Sequence, residues 1–435
     1  MARIRLERTL ASLFRDHGVT EPLVVDLYHC HSYFNIYPQI PRETTFLQDE
    51  DPCAYGRTAE EQQYFRKAVW AFRTIKYLLA LGPVDVFLYL PDVDPEEVNR
   101  FLKPLPEVQR PRLHYIDVNE QNVRNELERI TRNRKLVYWR SKGWMLKHDC
   151  LVDPTLAHNL NNKKYLLRPG IPTPALQIVG LDELGQASSI LATKPVPFIV
   201  KLLQASLGQG TYHVINEERR GEMLKAIEEF RTGGGTEVQV SEYVSSKHPH
   251  YAVNFFIGMP RSERNRENPT FLCATEQTFN HAGIWEGGII DFGAQDEIKK
   301  MVMDAVLATA RSMPEDYVGW VGIDVIIDEK SDRPLVVDLN ARITGGLVIC
   351  LLSSHFMEVR GLRFARMESF NYNGASGDIY ELLQPMIEQG SVVVSAAMKV
   401  ALEKNQAYLI YGGRSRDELK RIGYLIHERL TQNLS

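Results

Sequence analysis

The chain has 435 residues, of which 44% are hydrophobic and 24% are charged, which is the composition of a globular protein of two or three domains. Its formal net charge of −4 argues against nucleic-acid binding through an overall basic surface. The five cysteines show no CxxC spacing, the chain has no run of 18 apolar residues, and its start lacks a secretory apolar segment. Together these features predict a cytoplasmic protein without disulfides or structural zinc.

The first 150 residues are predicted to alternate between strands and helices. Residues 22–28 and 84–91 have the pattern of apolar strands, residues 60–82 have helical spacing, and Asp94-Pro95 marks a helix start. This alternation predicts a small α/β domain with a mostly parallel sheet. No GxGxxG motif follows these strands, so a dinucleotide-binding fingerprint is absent. The polar and aromatic residues 28–46 form either a substrate loop or a packed connection.

After residue 150 the pattern changes to long strands separated by turns. The predicted strands are residues 197–203, 237–244, 251–258, 271–279, 321–328 and 334–340, with a helix over 297–312. This pattern predicts an antiparallel α+β arrangement. From residue 374 onward we expect a helix, two strands and a last helix, which Ser415 and Glu418 would start as a capping box.

Two acid-bearing strands are the most informative feature of the sequence. The stretch VGIDVIIDEKSDRPLVVDLN, residues 321–340, predicts a β-hairpin whose pairing brings Asp324, Asp338 and Asn340 onto one face. Arg342 is expected on the same face, because residues two apart in a strand point the same way. Two carboxylates and an amide oxygen suit Mg²⁺. The alternative is that the acids pair with Arg342 or lie at exposed strand ends.

Two further segments suggest phosphate and nucleotide binding. Lys201 ends a strongly apolar strand and is followed by the glycine-containing turn 207–211, whose backbone amides could close over an anion. The alternative for Lys201 is a lysine that extends to solvent beside an ordinary hairpin. The strand EVQVSEYV ends at residues 242–244, where unpaired backbone groups could bind the edge of an adenine.

The order of these segments resembles the ATP-grasp superfamily of carboxylate–amine ligases over residues 161–351. The resemblance is carried by NNKKYLLRPGIPTP, IVKLLQASLGQGTYHV, VSEYV and the acidic hairpin with its continuation NARITGG. It implies an N-terminal pre-ATP-grasp α/β domain, a two-lobed ATP-grasp fold and a small C-terminal αββα extension. The implied boundaries are 1–150, then 151–245 for the small lobe, 246–365 for the large lobe and 366–435 for the extension. The extension resembles the C-terminal domain of pheganomycin-type peptide ligases.

The resemblance also implies roles for individual residues. It implies that ATP is bound by Lys163 (or Lys164), Lys201, Gly208, Gly210, Glu242, Tyr243 and Val244. It implies that Mg²⁺, with Mn²⁺ as an alternative, is bound by Asp324, Asp338 and Asn340. The implied catalytic residues are Arg342 and Lys201, and the implied substrate-binding residues are Arg342, Thr344, Gly345, Gly346 and Trp285. The acid that usually holds the ribose in this family is missing, since SSKHPHYAVN carries Lys247, His248 and His250 at that place.

The implied activity is ATP-dependent formation of an amide bond through an acyl phosphate. The substrates would be an amino acid-like carboxylate and an amino acid or peptide amine. The alternatives are an ATP-dependent carboxylating enzyme and a regulatory ATP-binding protein without turnover. We expect residues 275–290 to form a flexible loop near the amine, with Trp285 and Glu286 within reach, although Trp285 could instead be packed. Small molecules are the expected partners, without nucleic acid or membrane, and the chain is compatible with a homodimer.

Overall fold

The computed structural model describes residues 2–27, 58, 71–90, 93–117, 120–182, 189–205, 208, 210–280, 283, 285–372, 378–401 and 404–431. Its strands form three sheets. Within these residues, no helix is both long enough and apolar enough to cross a membrane.

The N-terminal sheet is parallel, as the strand–helix alternation predicts. Its strands are β1 (Leu23–Asp26), β2 (Asp85–Leu90), β3 (Arg112–Asp117) and β4 (Lys135–Tyr138), in the order β3-β2-β1-β4. Its helices are α1 (Leu10–Asp16), α2 (Leu78–Leu81), α3 (Pro95–Leu102) and α4 (Glu120–Thr131), with a further helical stretch at 71–75. Asp94 caps α3 by accepting a hydrogen bond from the backbone N–H of Glu96. Residues 28–46 and 60–70 lie outside the described part of the chain.

The second sheet is antiparallel and forms the small lobe. It contains β5 (Leu176–Gly180), β6 (Phe198–Leu202), β7 (Thr211–Val214) and β8 (Glu237–Glu242), in the order β5-β8-β6-β7. Its helices are α5 (Pro154–Leu160), α6 (Ile190–Thr193) and α7 (Glu217–Thr232), and a 3₁₀ helix spans Lys163–Leu167. Phe198, Val200 and Leu202 pack on one face of β6, so Lys201 points to the opposite face.

The third sheet has eight strands and carries the acidic hairpin at one edge. Its strands are β9 (Tyr251–Ile257), β10 (Thr270–Phe279), β11 (Trp285–Asp291), β12 (Gly319–Ile327), β13 (Pro334–Asn340), β14 (Phe364–Tyr372), β15 (Val392–Ala401) and β16 (Lys404–Gly413). The strand order is β13-β12-β9-β10-β11-β14-β16-β15. The accompanying helices are α8 (Gln295–Ser312), α9 (Leu347–Leu351), α10 (Ile379–Leu382), α11 (Gln384–Gln389) and α12 (Arg416–Thr431), with a π-helical turn at His355–Val359.

The expectation of a flexible loop over residues 275–290 is wrong for most of that stretch. It forms the ends of β10 and β11, which pair with Gln277 opposite Gly288. Gly287, one of the glycines of this segment, serves close packing: a Cβ there would lie 2.0 Å from the carbonyl oxygen of Met367 in β14. A side chain at this position would therefore separate β11 from β14.

The C-terminal segment has the predicted order of helix, two strands and helix, and its strands extend the large sheet. β14 pairs with β11 on one side and with β16 on the other, so β15 and β16 continue the sheet that carries the acidic hairpin. The capping box at α12 is shifted by one residue: Ser415 accepts from the N–H of Glu418, while the Glu418 carboxylate accepts from the N–H of Arg414. The boundary at 365/366 stays a prediction.

One apolar core joins the two ends of the chain. The buried side chains of Phe72 and Leu79 belong to the same cluster as Val394 and Tyr408. The N-terminal helices therefore pack on the C-terminal strands, and residues of the N-terminal domain line the cleft between the two lobes.

Candidate functional site

A cleft of about 690 Å³ is lined by both lobes and by residues of the N-terminal domain. The small lobe contributes Lys163, Lys201 and Gln239, the large lobe contributes Asp324, Asp338 and Gln277, and the N-terminal domain contributes Arg73, Lys76 and Trp139. Most residues to which the sequence assigns a site role line this cleft. The exceptions are Gly210, which is in the turn beside it, and Lys164 and Glu286, which point elsewhere.

The two carboxylates lie directly opposite each other in the predicted hairpin. Asp324 of β12 pairs with Asp338 of β13, and Asn340 is opposite Gly322, so the hairpin has the register that places all three on one face. Desolvation, and then repulsion from Asp338, raises the pKa of Asp324 to about 7. Gln277 donates a hydrogen bond to Asp324 at 2.6 Å. Two clustered carboxylates of this kind need positive charge beside them.

Two lysines supply that charge. Lys163 Nζ lies 2.7 Å from the Asp338 carboxylate, and Lys201 Nζ donates to the carbonyl oxygen of Val337 at 2.7 Å. Desolvation opposes the ionisation of Asp338, but Lys163 and Lys201 outweigh it, so the pKa of Asp338 lies below its ordinary value. Desolvation also lowers the pKa of Lys201, and Asp338 partly offsets this effect. Two lysines thus face two carboxylates.

The geometry distinguishes between the two candidate phosphate lysines. Lys163 is buried, with 7% of its surface exposed, and lines the cleft. Lys164 is exposed and pairs with Glu237 outside the cleft. Only Lys163 of the two is therefore positioned to contact a ligand in the cleft.

The donor set of the hairpin fits a hard divalent cation. Among the residues that the structure describes, no group of three or more His, Cys, Asp or Glu side chains could hold a metal ion. The oxygens in the cleft that could hold a cation are the carboxylates of Asp324 and Asp338 and the amide oxygen of Asn340, with phosphate oxygens of a substrate as further ligands. All of these are the oxygen ligands that Mg²⁺ takes, and Mn²⁺ accepts the same set.

The glycine turn after β6 has the backbone conformation that its sequence suggests. Gly208 and Gly210 have φ values of +82° and +64°, in the left-handed region that favours glycine. A Cβ on Gly210 would also lie 2.9 Å from the side chain of Leu202. Leu207 and Gln209 of this turn lie outside the described residues. Gly208 lines the cleft together with Lys201, and closure of the turn over a bound anion stays a prediction.

The end of β8 forms the wall of the cleft at which adenine is expected. Glu242, Tyr243 and Val244 line this wall, and the N–H of Glu242 is already bonded to the carbonyl of Ala175. Gln239, three residues before Glu242 in β8, pairs with Lys201 of β6 and is only 2% exposed. Its side-chain oxygen has no hydrogen-bond partner among the described residues. A buried polar atom of this kind needs an explanation, and a bound ligand that donates a hydrogen bond supplies one.

Arg342 lies two residues beyond the end of β13 and is held by the N-terminal half of the chain. Its guanidinium donates to Asn161 Oδ1 at 3.0 Å and lies 4.9 Å from the centre of the Trp139 ring. Arg140 stacks on the same ring, at 4.1 Å. Asn161 in turn donates to the carbonyl of Ala341 at 3.2 Å. This support fixes the guanidinium at the edge of the cleft.

The loop after Arg342 is packed closely on the large sheet. Thr344 donates to Asn254 Oδ1 at 2.7 Å, and the indole N–H of Trp320 also donates to Asn254 at 3.1 Å. The hydroxyl of Thr344 is therefore engaged within the protein. A Cβ on Gly345 would lie 2.7 Å from the ring of Trp285, so glycine allows the indole to cover the loop. The substrate roles of residues 344–346 stay predictions.

Trp285 and Glu286 do not face the same way. Trp285 lines the cleft and is also partly buried against the core. It is therefore both packed and placed where a substrate could contact it, as the two alternatives for this residue required. Glu286 is exposed and does not line the cleft, because neighbouring residues of a strand point to opposite faces. The expectation that both contact a substrate is wrong for Glu286.

Several residues of the cleft were not identified from the sequence. Gln239 pairs with Lys201 across the small-lobe sheet, and Gln277 donates a hydrogen bond to Asp324. Once strand pairing is considered, both could have been found as partners of the predicted site residues. His250, within the segment that lacks the ribose acid, lines the cleft, and desolvation followed by repulsion from Lys201 lowers its pKa. Arg73 and Lys76 come from a distant helical segment and carry no signal in the sequence.

Comparison with protein families identifies the domain that builds this cleft. The family model of the ATP-grasp domain matches residues 163–346, from the buried lysine to the end of the glycine pair. Residues 163–346 are an ATP-grasp domain. This match confirms the predicted superfamily for residues 163–346, and the parallel and antiparallel sheets described above confirm the predicted fold class. No curated protein sequence matches the chain.

Solved structures with this fold cover nearly the whole chain. N5-carboxyaminoimidazole synthase from Aspergillus clavatus, in complex with ADP, has 11% identity and a TM-score of 0.54, covering 95% of this chain and 99% of its own. L-amino acid ligase from Bacillus licheniformis has 12% identity and a TM-score of 0.52, covering 94% and 98%. N5-carboxyaminoimidazole ribonucleotide synthetase from Thermus thermophilus has 16% identity and a TM-score of 0.51, covering 84% and 95%. At these identities the likeness is one of fold.

Proposed function

We propose that the chain is an ATP-dependent ligase that phosphorylates a substrate carboxylate and transfers the acyl group to an amine. The observation that carries the proposal is the partly buried cluster of Lys163, Lys201, Asp324 and Asp338, whose two basic and two acidic side chains face one cleft. Such a cluster is costly to bury unless its members bind something together. A divalent cation bound to the two carboxylates balances their negative charge, and phosphates bound to the two lysines balance their positive charge.

The reaction proceeds in two displacements. An oxygen of the substrate carboxylate attacks the γ-phosphorus of ATP, the bond from that phosphorus to the β,γ-bridging oxygen breaks, and ADP leaves. The nitrogen of the amine then attacks the carbonyl carbon of the acyl phosphate. The carbon–oxygen bond to phosphate breaks, the nitrogen loses a proton, and amide and inorganic phosphate are the products. The first displacement supplies the leaving group that a free carboxylate lacks.

The residues of the cleft position these groups and balance their charge. Lys163 and Lys201 bind phosphate oxygens, and Asp324, Asp338 and Asn340 hold Mg²⁺ (Mn²⁺ as an alternative), which neutralises phosphate charge when bound. Arg342, fixed by Trp139 and Asn161, stabilises the transferred phosphoryl group or orients the attacking carboxylate. The turn at Gly208 and Gly210 excludes water, which would hydrolyse an acyl phosphate.

We assign the nucleotide to the wall formed by β8. The end of this strand offers backbone groups at Tyr243 and Val244, and the unsatisfied oxygen of Gln239 is suited to accept a hydrogen bond from a ligand N–H or O–H. His250 lines the cleft on the segment where the family usually carries the ribose acid. We therefore assign the ribose to the surroundings of His250.

The test is ADP release from ATP and Mg²⁺ with a panel of amino acids and dipeptides, offered singly and in pairs. We expect ADP only when an acid and an amine are both present, with an amide as the second product. Asp338→Asn is measured in parallel and is expected to abolish release. Lys164→Met is the matched control on the neighbouring exposed lysine and is expected to retain it.

Two results would replace this proposal. ADP release that depends on bicarbonate and an amine, and on no other acid, would identify a carboxylating enzyme. Tight ATP binding without ADP release on any acid, bicarbonate included, would identify a regulatory ATP-binding protein. Release of ADP that is equal in the parent and in Asp338→Asn would contradict the assignment of the cleft itself.

A further inference from the structure

Gln277 of β10 lies in direct contact with one of the side chains that we assign to Mg²⁺. Its side-chain nitrogen donates a hydrogen bond to Asp324 Oδ1 over 2.6 Å, and both residues line the cleft. A hydrogen bond from an amide to an ionised carboxylate is shorter and stronger than one between two neutral groups. Gln277 therefore restrains the orientation of the Asp324 carboxylate.

The strand registers show how far Gln277 reaches to make this contact. Asp324 in β12 pairs with Ala252 in β9, and Ala252 pairs with Thr275 in β10, so these three residues form a row across the sheet. Gln277 follows Thr275 by two residues and shares its face. Because β9 lies between β10 and β12, the contact spans two strand spacings, or roughly 10 Å. A long side chain is needed to cover this distance.

The strand between them leaves a path for the glutamine side chain. The backbone N–H of Gln277 donates to the carbonyl of His250 at 2.8 Å, which fixes Gln277 beside the start of β9. The line from Gln277 to Asp324 therefore runs diagonally over β9 and passes Ala252, whose side chain is a single methyl group. The register, the length of glutamine and the small residue at position 252 all permit the same hydrogen bond.

The other polar contacts of the charge cluster do not restrain Asp324 in this way. The hydrogen bonds of Lys163 and Lys201 go to Asp338 and to the carbonyl of Val337. Within the described part of the chain, Gln277 is the side chain that donates to Asp324. Carboxylates that bind metals are usually held by such a hydrogen bond, which fixes their orientation.

We propose that Gln277 is a positioning residue, which orients the Asp324 carboxylate for the divalent cation. This inference rests on the proposed function, because that function assigns the cation to Asp324. The amide of Gln277 occupies Oδ1, and Oδ2 stays available as a ligand. Gln277 thus acts on the cation through Asp324.

Binding of Mn²⁺ in the presence of ADP, measured by electron paramagnetic resonance, tests this inference without turnover. Gln277→Met keeps the length of the side chain and removes its donor. Gln177→Met is the control, since Gln177 is an exposed residue of β5 that does not line the cleft. We expect the Kd of Mn²⁺ to rise about 10- to 100-fold in Gln277→Met and to change less than about twofold in Gln177→Met.

A double-mutant cycle with Asp324→Asn separates positioning from a general structural role. If Gln277 acts through Asp324, Gln277→Met should change the Kd of Mn²⁺ less than about twofold further in the Asp324→Asn background. In steady-state ADP release, Gln277→Met should raise the KM for Mg²⁺, and saturating Mg²⁺ should restore the kcat of the parent. A damaged fold would not show that recovery.

The outcomes distinguish this inference from the proposed function. An unchanged Kd of Mn²⁺ in Gln277→Met, with Asp324→Asn weakened, would overturn the inference and leave the cation site standing. An effect of Gln277→Met that is equally large with and without the Asp324 carboxylate would also overturn it. Binding of Mn²⁺ by Asp324→Asn as tight as by the parent would overturn the cation site of the proposed function and the inference together.

Discussion

Replacing Lys163 with methionine tests whether the charge cluster around Asp338 binds ATP–Mg²⁺. The same replacement at the neighbouring Lys164 is the control. Lys163 forms a 2.7 Å contact with Asp338 at 7% exposure, whereas Lys164 is exposed and pairs with Glu237. A buried, charge-assisted contact with phosphate is worth about 2–3 kcal/mol. Lys163→Met should therefore weaken the binding of ATP–Mg²⁺ about 30- to 150-fold. Lys164→Met should change it less than about threefold, because exposed ion pairs contribute about 0–1 kcal/mol.

The same variants separate a loss of binding from a loss of folding. Lys163→Met leaves the Asp338 carboxylate without its direct partner and with Lys201 and Arg342 as the nearby cations, so we expect a decrease of about 1–2 kcal/mol in the free energy of unfolding. Adding Asp338→Asn removes the unpaired charge and should restore most of this stability without restoring ATP binding. Isothermal titration calorimetry and urea unfolding measure the two quantities. Equal effects of Lys163→Met and Lys164→Met on ATP affinity would refute the reasoning.

Three further predictions concern the support of Arg342, the close packing at Gly345 and the ion pairs of Asp85 in the N-terminal domain. Trp139→Leu removes the ring that supports Arg342, so kcat/KM should fall about 5- to 30-fold, the equivalent of about 1–2 kcal/mol, with ATP affinity unchanged. Gly345→Ala places a Cβ 2.7 Å from Trp285 and should raise the KM of the acid or amine at least tenfold by displacing the indole, as measured in steady-state assays. Burial opposes ionisation of Asp85, but hydrogen bonds from Arg112 and His114 outweigh it and lower its pKa from 3.8 to about 2. Asp85→Asn should therefore cost about 1 kcal/mol of unfolding free energy at pH 7, after allowance for solvent around Arg112.

The Asp85 effect has a defined pH window, and the other two variants have matched controls. Because the folded pKa is depressed, the stabilisation is present above about pH 4, is about half lost at pH 3, and disappears as pH falls through 2. A difference between Asp85→Asn and the parent that stays constant down to pH 3 would contradict this account. Gly180→Ala, where a Cβ would meet nothing within 4 Å, controls for Gly345→Ala. A decrease in ATP affinity in Trp139→Leu as large as its decrease in kcat/KM would contradict a role through Arg342.

The sequence predicts the acidic hairpin because its side chains follow strand alternation. The pairing of Asp324 with Asp338 and of Gly322 with Asn340 is the register that the alternation requires. The choice between Lys163 and Lys164 depends on one residue of register, and burial against Asp338 was needed to distinguish them.

Features that depend on contacts between distant segments could not be predicted in this way. Gly287 resembles a loop residue in the sequence, yet it is a glycine because β14 approaches its backbone. The pattern of the C-terminal strands gives their order but not the sheet that they join, since sheet membership is a tertiary property. Arg73 and Lys76 reach the cleft only because the N-terminal helices pack on those strands.

The transfer of oxygen from the acid to phosphate tests the central claim most directly. An acid–amine pair that gives ADP is supplied with oxygen-18 in both oxygens of its carboxylate, and the inorganic phosphate is analysed by mass spectrometry. Attack of the carboxylate on the γ-phosphorus predicts one oxygen-18 atom in each phosphate that the parent releases, and no phosphate above background from Asp338→Asn. Amide formation with unlabelled phosphate would contradict an acyl phosphate and, with it, the role that we assign to the cleft.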